Sequence, residues 1–255
     1  MTPRPCPYPA DMRRLRVLVT GAGRGIGRAI ALRFAREGAQ VAVCARTLAQ
    51  IESVAAEVDA AGGRGLAVPM DVADLASVEV GVHRTLEFTQ GVLDVVVNNA
   101  GVFAVVPFAE LSPATWYRML AVNLTGPFHV TLLTLKGLER SERPHLFNVS
   151  SVAGRVPYEG SSAYCASKYG LRGLGDVLRL EWKRRGVRVS TVYPGATDTT
   201  IFDGVPGEWD RSTMGRPEDV AEVLWAAYAA PEGQDVSDLD VPGLDVRDPG
   251  LNPGG

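Results

Sequence analysis

Arg16-Val17-Leu18-Val19-Thr20-Gly21-Ala22-Gly23-Arg24-Gly25-Ile26-Gly27 is the stretch from which the fold is read. Its first five residues are a short apolar run, the pattern of a buried strand. The run passes directly into a glycine-rich turn. A helix follows with Ile26, Ile30 and Phe34 on one face and a stop near Gly38. A strand, a glycine turn and a helix in that order form a cradle for phosphate. Glycine lets the backbone approach the anion, and the helix N-terminus offers unpaired N–H groups and positive potential. The longer G-x-G-x-x-G pattern does not fit, because Ile26 and Arg28 fall where its last glycine belongs. A glycine turn can also be purely structural, but its place between strand and helix favours phosphate binding.

The same alternation continues along the chain. Gln40–Ala45 reads as a second strand, with Arg46 at its end, and a helix runs from Thr47 to about Ala60. Gly65–Met70 is a third strand, ending in Asp71-Val72, and Asp74 caps the next helix. Leu93–Val97 ends in Asn98-Asn99-Ala100-Gly101, and Ser112-Pro113 opens a long helix that contains Asn123. An Asn in such an apolar run needs hydrogen-bond partners if it is buried. Leu146–Val149, Val187–Tyr193 and Val236–Val241 complete the strands, and Pro217 begins the last helix. Strands alternating with helices at this spacing predict an α/β fold, a Rossmann-like doubly wound parallel sheet with helices on both faces. One domain is expected over 15–243. The proline-rich 1–14 and the Gly/Pro/Asp-rich 244–255 are expected as mobile tails. Each distinctive segment falls at the C-terminal end of a strand, where open α/β sheets bind ligands.

The chemistry is concentrated between Ser150 and Lys168. Tyr164 and Lys168 are four residues apart and share one face of a helix. An ammonium beside a phenol favours the phenolate, so Lys168 is expected to lower the Tyr164 pKa from about 10 toward neutrality. Ser151, at the mouth of the preceding strand, is placed to hold a substrate oxygen against that tyrosine. The bland reading of the pair is a surface lysine lying over a ring. Arg46 ends the second strand, where NAD-specific sites carry an acidic residue for the ribose 2′-OH. No acidic residue lies between Gly38 and Ile51, so Arg46 and Arg24 are expected to clasp a 2′-phosphate.

Bulk properties narrow the partners. The 255 residues carry a net charge of −3, which gives no case for nucleic acid or an anionic membrane. No run of 18 apolar residues exists to span a bilayer. Cys6, Cys44 and Cys165 are scattered and odd in number, which points to a reduced, cytoplasmic setting and no metal site.

In this order the motifs resemble the short-chain dehydrogenase/reductase family, from Arg16 to about Val241. Thr20–Gly27 looks like its T-G-x-x-x-G-x-G turn, with Gly21, Gly23, Arg24, Gly25, Ile26 and Gly27 on the cofactor phosphates. The resemblance implies an adenine contact at Asp71 and Val72, and cofactor contacts at Asn98, Ala100 and Gly101. It places the nicotinamide carboxamide against Pro194, Gly195, Thr197 and Thr199. Asn123, Ser151, Tyr164 and Lys168 match the catalytic tetrad, Ser151 being preferred to Ser150 because it stands thirteen residues before the tyrosine. The family's fold has seven parallel strands. Its chemistry is hydride transfer between a carbonyl and a secondary alcohol, with Tyr164 as proton donor or acceptor and Lys168 also on the nicotinamide ribose. Asn123 is implied to position a water leading to Lys168.

The resulting expectation is an NADP(H)-dependent oxidoreductase of a small carbonyl or alcohol substrate. Val102, Phe103, Val152, Tyr158 and Phe202 are expected in its substrate pocket. The competing class is a non-enzymatic NADP(H)-binding regulator on the same fold, against which the intact tetrad argues. Sugar-nucleotide dehydration or epimerisation suits longer members with a larger C-terminal domain. Two departures from the family bear on substrate: only a short segment separates Thr199 from Gly215, and Val241-Pro242-Gly243 stands where many members end the last strand in Asp-Gly-Gly. Trp116, Leu132, Leu135, Leu171 and Leu174 widen the apolar arc of two helices, so a homodimer or homotetramer is expected.

Overall fold

The computed structural model describes residues 15–206, 209–231 and 233–241. The two expected tails, and Pro242 and Gly243, lie outside the described residues. Seven strands form one sheet: β1 (Arg16–Thr20), β2 (Gln40–Ala45), β3 (Arg64–Pro69), β4 (Val95–Asn98), β5 (His145–Val149), β6 (Arg188–Pro194) and β7 (Asp238–Val241). Their order is β3-β2-β1-β4-β5-β6-β7 and every pairing is parallel. The chain therefore winds outward from β1 to β3, crosses back to β4 and winds the other way. The switch lies between β1 and β4, the place where open α/β sheets leave a crevice at the strand ends.

Helices cover both faces: α1 (Gly25–Ala35), α2 (Leu48–Ala60), α3 (Leu75–Phe88), α4 (Pro113–Leu120), α5 (Gly126–Leu138), α6 (Ser162–Trp182) and α7 (Pro217–Ala229). Successive strand residues point to opposite faces, so one apolar sequence supplies two cores. Val17, Val19, Val41 and Val43 pack under α1, α2 and α7, with Phe34 set edge-on to Trp225 at 5.4 Å. Leu18, Ala42, Val96 and Leu146 pack under the other layer, with Val130 of α5 and Leu178 of α6.

β4 starts at Val95 rather than Leu93. Two further elements differ from the sequence expectation for a local reason. The helix opened by Ser112, whose hydroxyl accepts the Thr115 N–H, does not run unbroken through Asn123. Residues Ala121–Thr125 make a π turn, with the Gly126 N–H reaching the Ala121 carbonyl five residues back. Pro127 has no N–H to return to the Asn123 carbonyl, and the loosened turn drives Asn123 fully inside. The last strand starts at Asp238 rather than Val236, because the Asp235 carboxylate accepts the Ser237 N–H and bends the chain before the ladder begins.

Candidate active site

A cleft of about 650 Å³ opens over the C-terminal ends of the strands. Its floor is the glycine turn between β1 and α1. Gly21 sits at φ +63°, and a Cβ there would lie 2.8 Å from the Ala100 Cα, so only glycine permits the turn to approach the loop after β4. That approach is tied from both sides. The Thr20 hydroxyl accepts the N–H groups of Asn99 and Ala100, and the Asn99 amide donates to the Thr20 and Gly21 carbonyls. No side chain caps the first turn of α1, so its N–H groups face the cleft without a protein partner of that kind. Arg24 and Arg46 stand exposed at the rim and form no ion pair among the described residues.

The opposite wall carries the reactive groups. Ser151 follows β5 and begins a short 3-10 turn, accepting the Ala153 N–H at 3.1 Å. Its hydroxyl is also hydrogen-bonded to the Tyr164 phenol. Tyr164 and Lys168 lie one turn apart on α6 and both face the cleft. Lys168 is only 4% exposed, and its ammonium donates to the Val149 carbonyl at 2.9 Å. It stands 5.7 Å from the centre of the Tyr164 ring. Desolvation by burial pushes Lys168 down to about 8.

The same desolvation pushes Tyr164 up to about 12, with the Ser151 hydrogen bond pulling the other way. Burial thus sets the net direction, away from the expected shift toward neutrality. The Lys168 ammonium donates to the Val149 carbonyl and keeps its charge near the ring.

The far end of the cleft is apolar. Val102, Phe103, Val152, Tyr158 and Phe202 all line it, as expected from sequence. Phe103 packs edge-on to Tyr164 at 4.7 Å and to Phe202 at 5.7 Å. Trp209 joins the same wall, 4.7 Å from Phe202 and 6.0 Å from Phe103, and was not anticipated. It lies in the segment between Thr199 and Gly215, where it stands seven residues after Phe202 in a turn-rich sequence that gives no periodicity. Arg211 gathers that segment: its guanidinium donates to Asp198 at 2.8 Å, to the Thr199 carbonyl at 2.7 Å and to Asp203 at 2.6 Å.

A family model described as short chain dehydrogenase matches residues 16–208. The chain belongs to the short-chain dehydrogenase/reductase family. A sepiapterin reductase from Chlorobaculum tepidum is 34% identical over 230 residues, 88% of this chain and 93% of that protein. An alcohol dehydrogenase from the archaeon Thermococcus sibiricus, solved with 5-hydroxy-NADP, matches with a TM-score of 0.83 at 29% identity, covering 91% of this chain and 97% of that one. A 3-ketoacyl-(acyl-carrier-protein) reductase from Brucella melitensis, solved with NADH, gives 0.80 at 28% identity over 88% and 95%.

Of the residues assigned to the site, this short-chain dehydrogenase/reductase brings all but Gly27, Asn98 and Asn123 to the cleft wall. Gly27 is a packing glycine: a Cβ there would lie 2.4 Å from the Gly21 carbonyl oxygen. Asn98 is the last residue of β4 and points into the interior, its amide donating to Thr131 and to Asn148, both at 2.9 Å. Asn99, one residue on and so on the opposite side, faces the cleft instead. The Asn123 side chain is occupied within the protein. Its Oδ1 accepts the Val102 N–H at 2.9 Å, and its Nδ2 donates to the Val102 carbonyl and to the Ser167 hydroxyl. The side chain is thus held by the protein, while the Asn123 carbonyl, facing Pro127, receives no N–H from the next turn. The amide braces the loop that carries Val102 and Phe103. Ser167, also unanticipated, completes the brace by donating to the Tyr164 carbonyl at 2.7 Å.

Proposed function

We propose that this short-chain dehydrogenase/reductase is an NADP(H)-dependent enzyme that interconverts a carbonyl and a secondary alcohol on a small substrate. The observation that carries the reading is the convergence of Ser151, Tyr164 and Lys168 in one cleft, between a glycine cradle and an aromatic wall. The cleft fits a nicotinamide dinucleotide. The uncapped first turn of α1 suits a diphosphate, and Arg24 and Arg46 suit a 2′-phosphate where an NAD site would carry a carboxylate. Bound there, the nicotinamide supplies or accepts the hydride.

The protein's part follows from its own groups. Tyr164 gives its proton to the substrate oxygen in reduction and takes it back in oxidation. Its high pKa keeps it protonated across the working range, as a donor requires. Ser151 holds the substrate oxygen while charge develops on it. The buried Lys168 ammonium offsets the negative charge left on Tyr164. Pro194, Gly195, Thr197 and Thr199 hold the nicotinamide from the β6 side, with Asp71 and Val72 at the adenine. The enzyme acts as a homodimer or homotetramer.

The test is NADPH absorbance during a screen of small ketones and aldehydes, run in parallel with NADH. Consumption with NADPH ahead of NADH is expected. No consumption with any carbonyl, by protein that binds NADPH, would overturn the reading.

A further inference from the structure

The substrate end of the cleft has a distinctive charge pattern. It is walled by Val102, Phe103, Val105, Val152, Val156, Pro157 and Ile201, with the joined rings of Phe202 and Trp209. The cationic side chains on the cleft wall are Arg24, Arg46 and Lys168. The first two stand at the glycine turn and the end of β2, and the third is buried behind Tyr164. Of the wall residues that follow Val102, Glu159 and Lys168 are charged, and with Lys168 buried behind Tyr164 the exposed charge is the acidic Glu159.

Glu159 is fixed in place by its backbone. It lies in a turn closed by the Ser161 N–H on the Tyr158 carbonyl, beside Gly160 at φ +69°. The Val106 N–H donates to the Gly160 carbonyl at 2.7 Å, which pins this turn to the loop bearing Phe103. Its carboxylate is exposed and forms no ion pair among the described residues. Arg155, four residues before it in the chain, and Arg211, in the segment that bears Trp209, are already engaged. Arg155 is paired with Asp240 and lies over the Tyr193 ring, and Arg211 is held by Asp198 and Asp203.

We propose that the substrate end takes a ring-sized, neutral or cationic ketone, and that Glu159 is a specificity residue that turns anionic substrates away. This rests on the carbonyl-reductase reading above. A contiguous aromatic wall favours a flat apolar body. A carboxylate at the mouth, with no cation opposite, leaves a substrate carboxylate or phosphate unpaired and repelled. Acyl thioesters that carry phosphates are disfavoured on the same ground.

The experiment compares three ketones of one shape: acetophenone, 4-acetylbenzoate and 4-(aminomethyl)acetophenone. Each is reduced with NADPH by wild type, Glu159→Gln and Glu159→Lys, and kcat/KM is read as a ratio within each protein, so that a general loss cancels. In wild type the anion is expected below the neutral ketone and the cation at or above it, by roughly two- to fivefold per step at low salt. Glu159→Gln flattens the series and Glu159→Lys inverts it. Raising the salt to about 0.5 M shrinks the wild-type differences. Equal turnover of anion and cation by wild type, or an unchanged ratio in Glu159→Lys, would overturn the proposal. So would reduction of aliphatic aldehydes with none of the three ring ketones. Failure to reduce any carbonyl at all would instead remove the reductase reading, and this proposal with it.

Discussion

Burial acts on Tyr164 and Lys168 in opposite senses, holding the phenol at about 12 and the ammonium at about 8. Carbonyl reduction should therefore fall as pH rises through about 8, where Lys168 loses the charge that offsets the phenolate; a flat profile from 6 to 10 would contradict this. Tyr164→Phe should cut turnover roughly 10²–10⁴-fold while leaving NADPH affinity and melting temperature nearly intact. Arg46→Ala should weaken NADPH binding about tenfold or more and leave NADH binding unchanged, as titration by cofactor fluorescence would read. A fourth residue bears on stability. His145 is fully buried beside Arg143 and Arg188, its Nε2 shares a hydrogen bond with Ser190, and burial with those two charges holds its pKa well below 6.5. The unfolded chain then binds the proton that the folded one refuses, so stability is complete above about 6.5 and is lost as pH falls below it, by at most about 1.4 kcal/mol per unit. The slope of melting temperature below that pH should flatten in His145→Gln. At this scale the sequence exposes what spacing encodes, such as a Tyr–Lys pair four apart. It hides what surroundings decide. Whether Asn98 or Asn99 faces the cleft turns on the parity at the end of β4, and the direction of the Tyr164 shift turns on how deeply the phenol is buried.

Among the elements, strands were legible because apolar runs of five or six residues between helical patterns admit few other readings. Their ends were not, since an Asx turn such as that at Asp235 competes locally with the ladder, whereas the Asp74 cap was legible and holds the Ala76 N–H. The π turn at Ala121–Thr125 could have been suspected from Gly126-Pro127, which both loosens the helix and permits close approach: a Cβ on Gly126 would lie 2.8 Å from the Val72 Cβ. The segment from Thr199 to Gly215 was opaque, because its order comes from one arginine rather than from periodicity. Arg211→Ala should unfasten Asp198, Thr199 and Asp203 together. The expected result is a several-fold rise in KM for the carbonyl compound, altered Trp209 fluorescence and a melting temperature close to wild type. A variant with unchanged KM would show that the aromatic wall holds without this clamp.

For the whole molecule, the distribution of exposed apolar side chains is uneven. Phe128 and Leu132 lie four apart on α5, at 46% and 58% exposure. Tyr169, Val177 and Leu180 form a second exposed stripe on α6, with Gly173 in its middle and open space above it. Both helices belong to the same layer, and on the other side of the sheet the one comparable residue among those described is Leu48, at the start of α2. The sequence pointed to these helices but chose the wrong residues in part. Leu171 is core, and Leu135 and Leu174 pack against the sheet, because a helix over a parallel sheet buries a wider arc than a 3.6-residue stripe suggests. What remains exposed on these two helices is a pair of apolar ridges, with open space above Gly173 that would admit a facing helix, and a twofold contact between copies is the expectation it supports. A stable contact of this kind buries about 1,200–2,000 Å² in total, which two helices per subunit can supply. Light scattering at micromolar concentration should give at least a dimer mass for the wild type. Placing like charges on both ridges, as Leu132→Glu with Val177→Glu, should give a folded monomer, since both side chains are more than half exposed. A wild-type monomer, or an oligomer untouched by the double substitution, would place the assembly elsewhere or remove it.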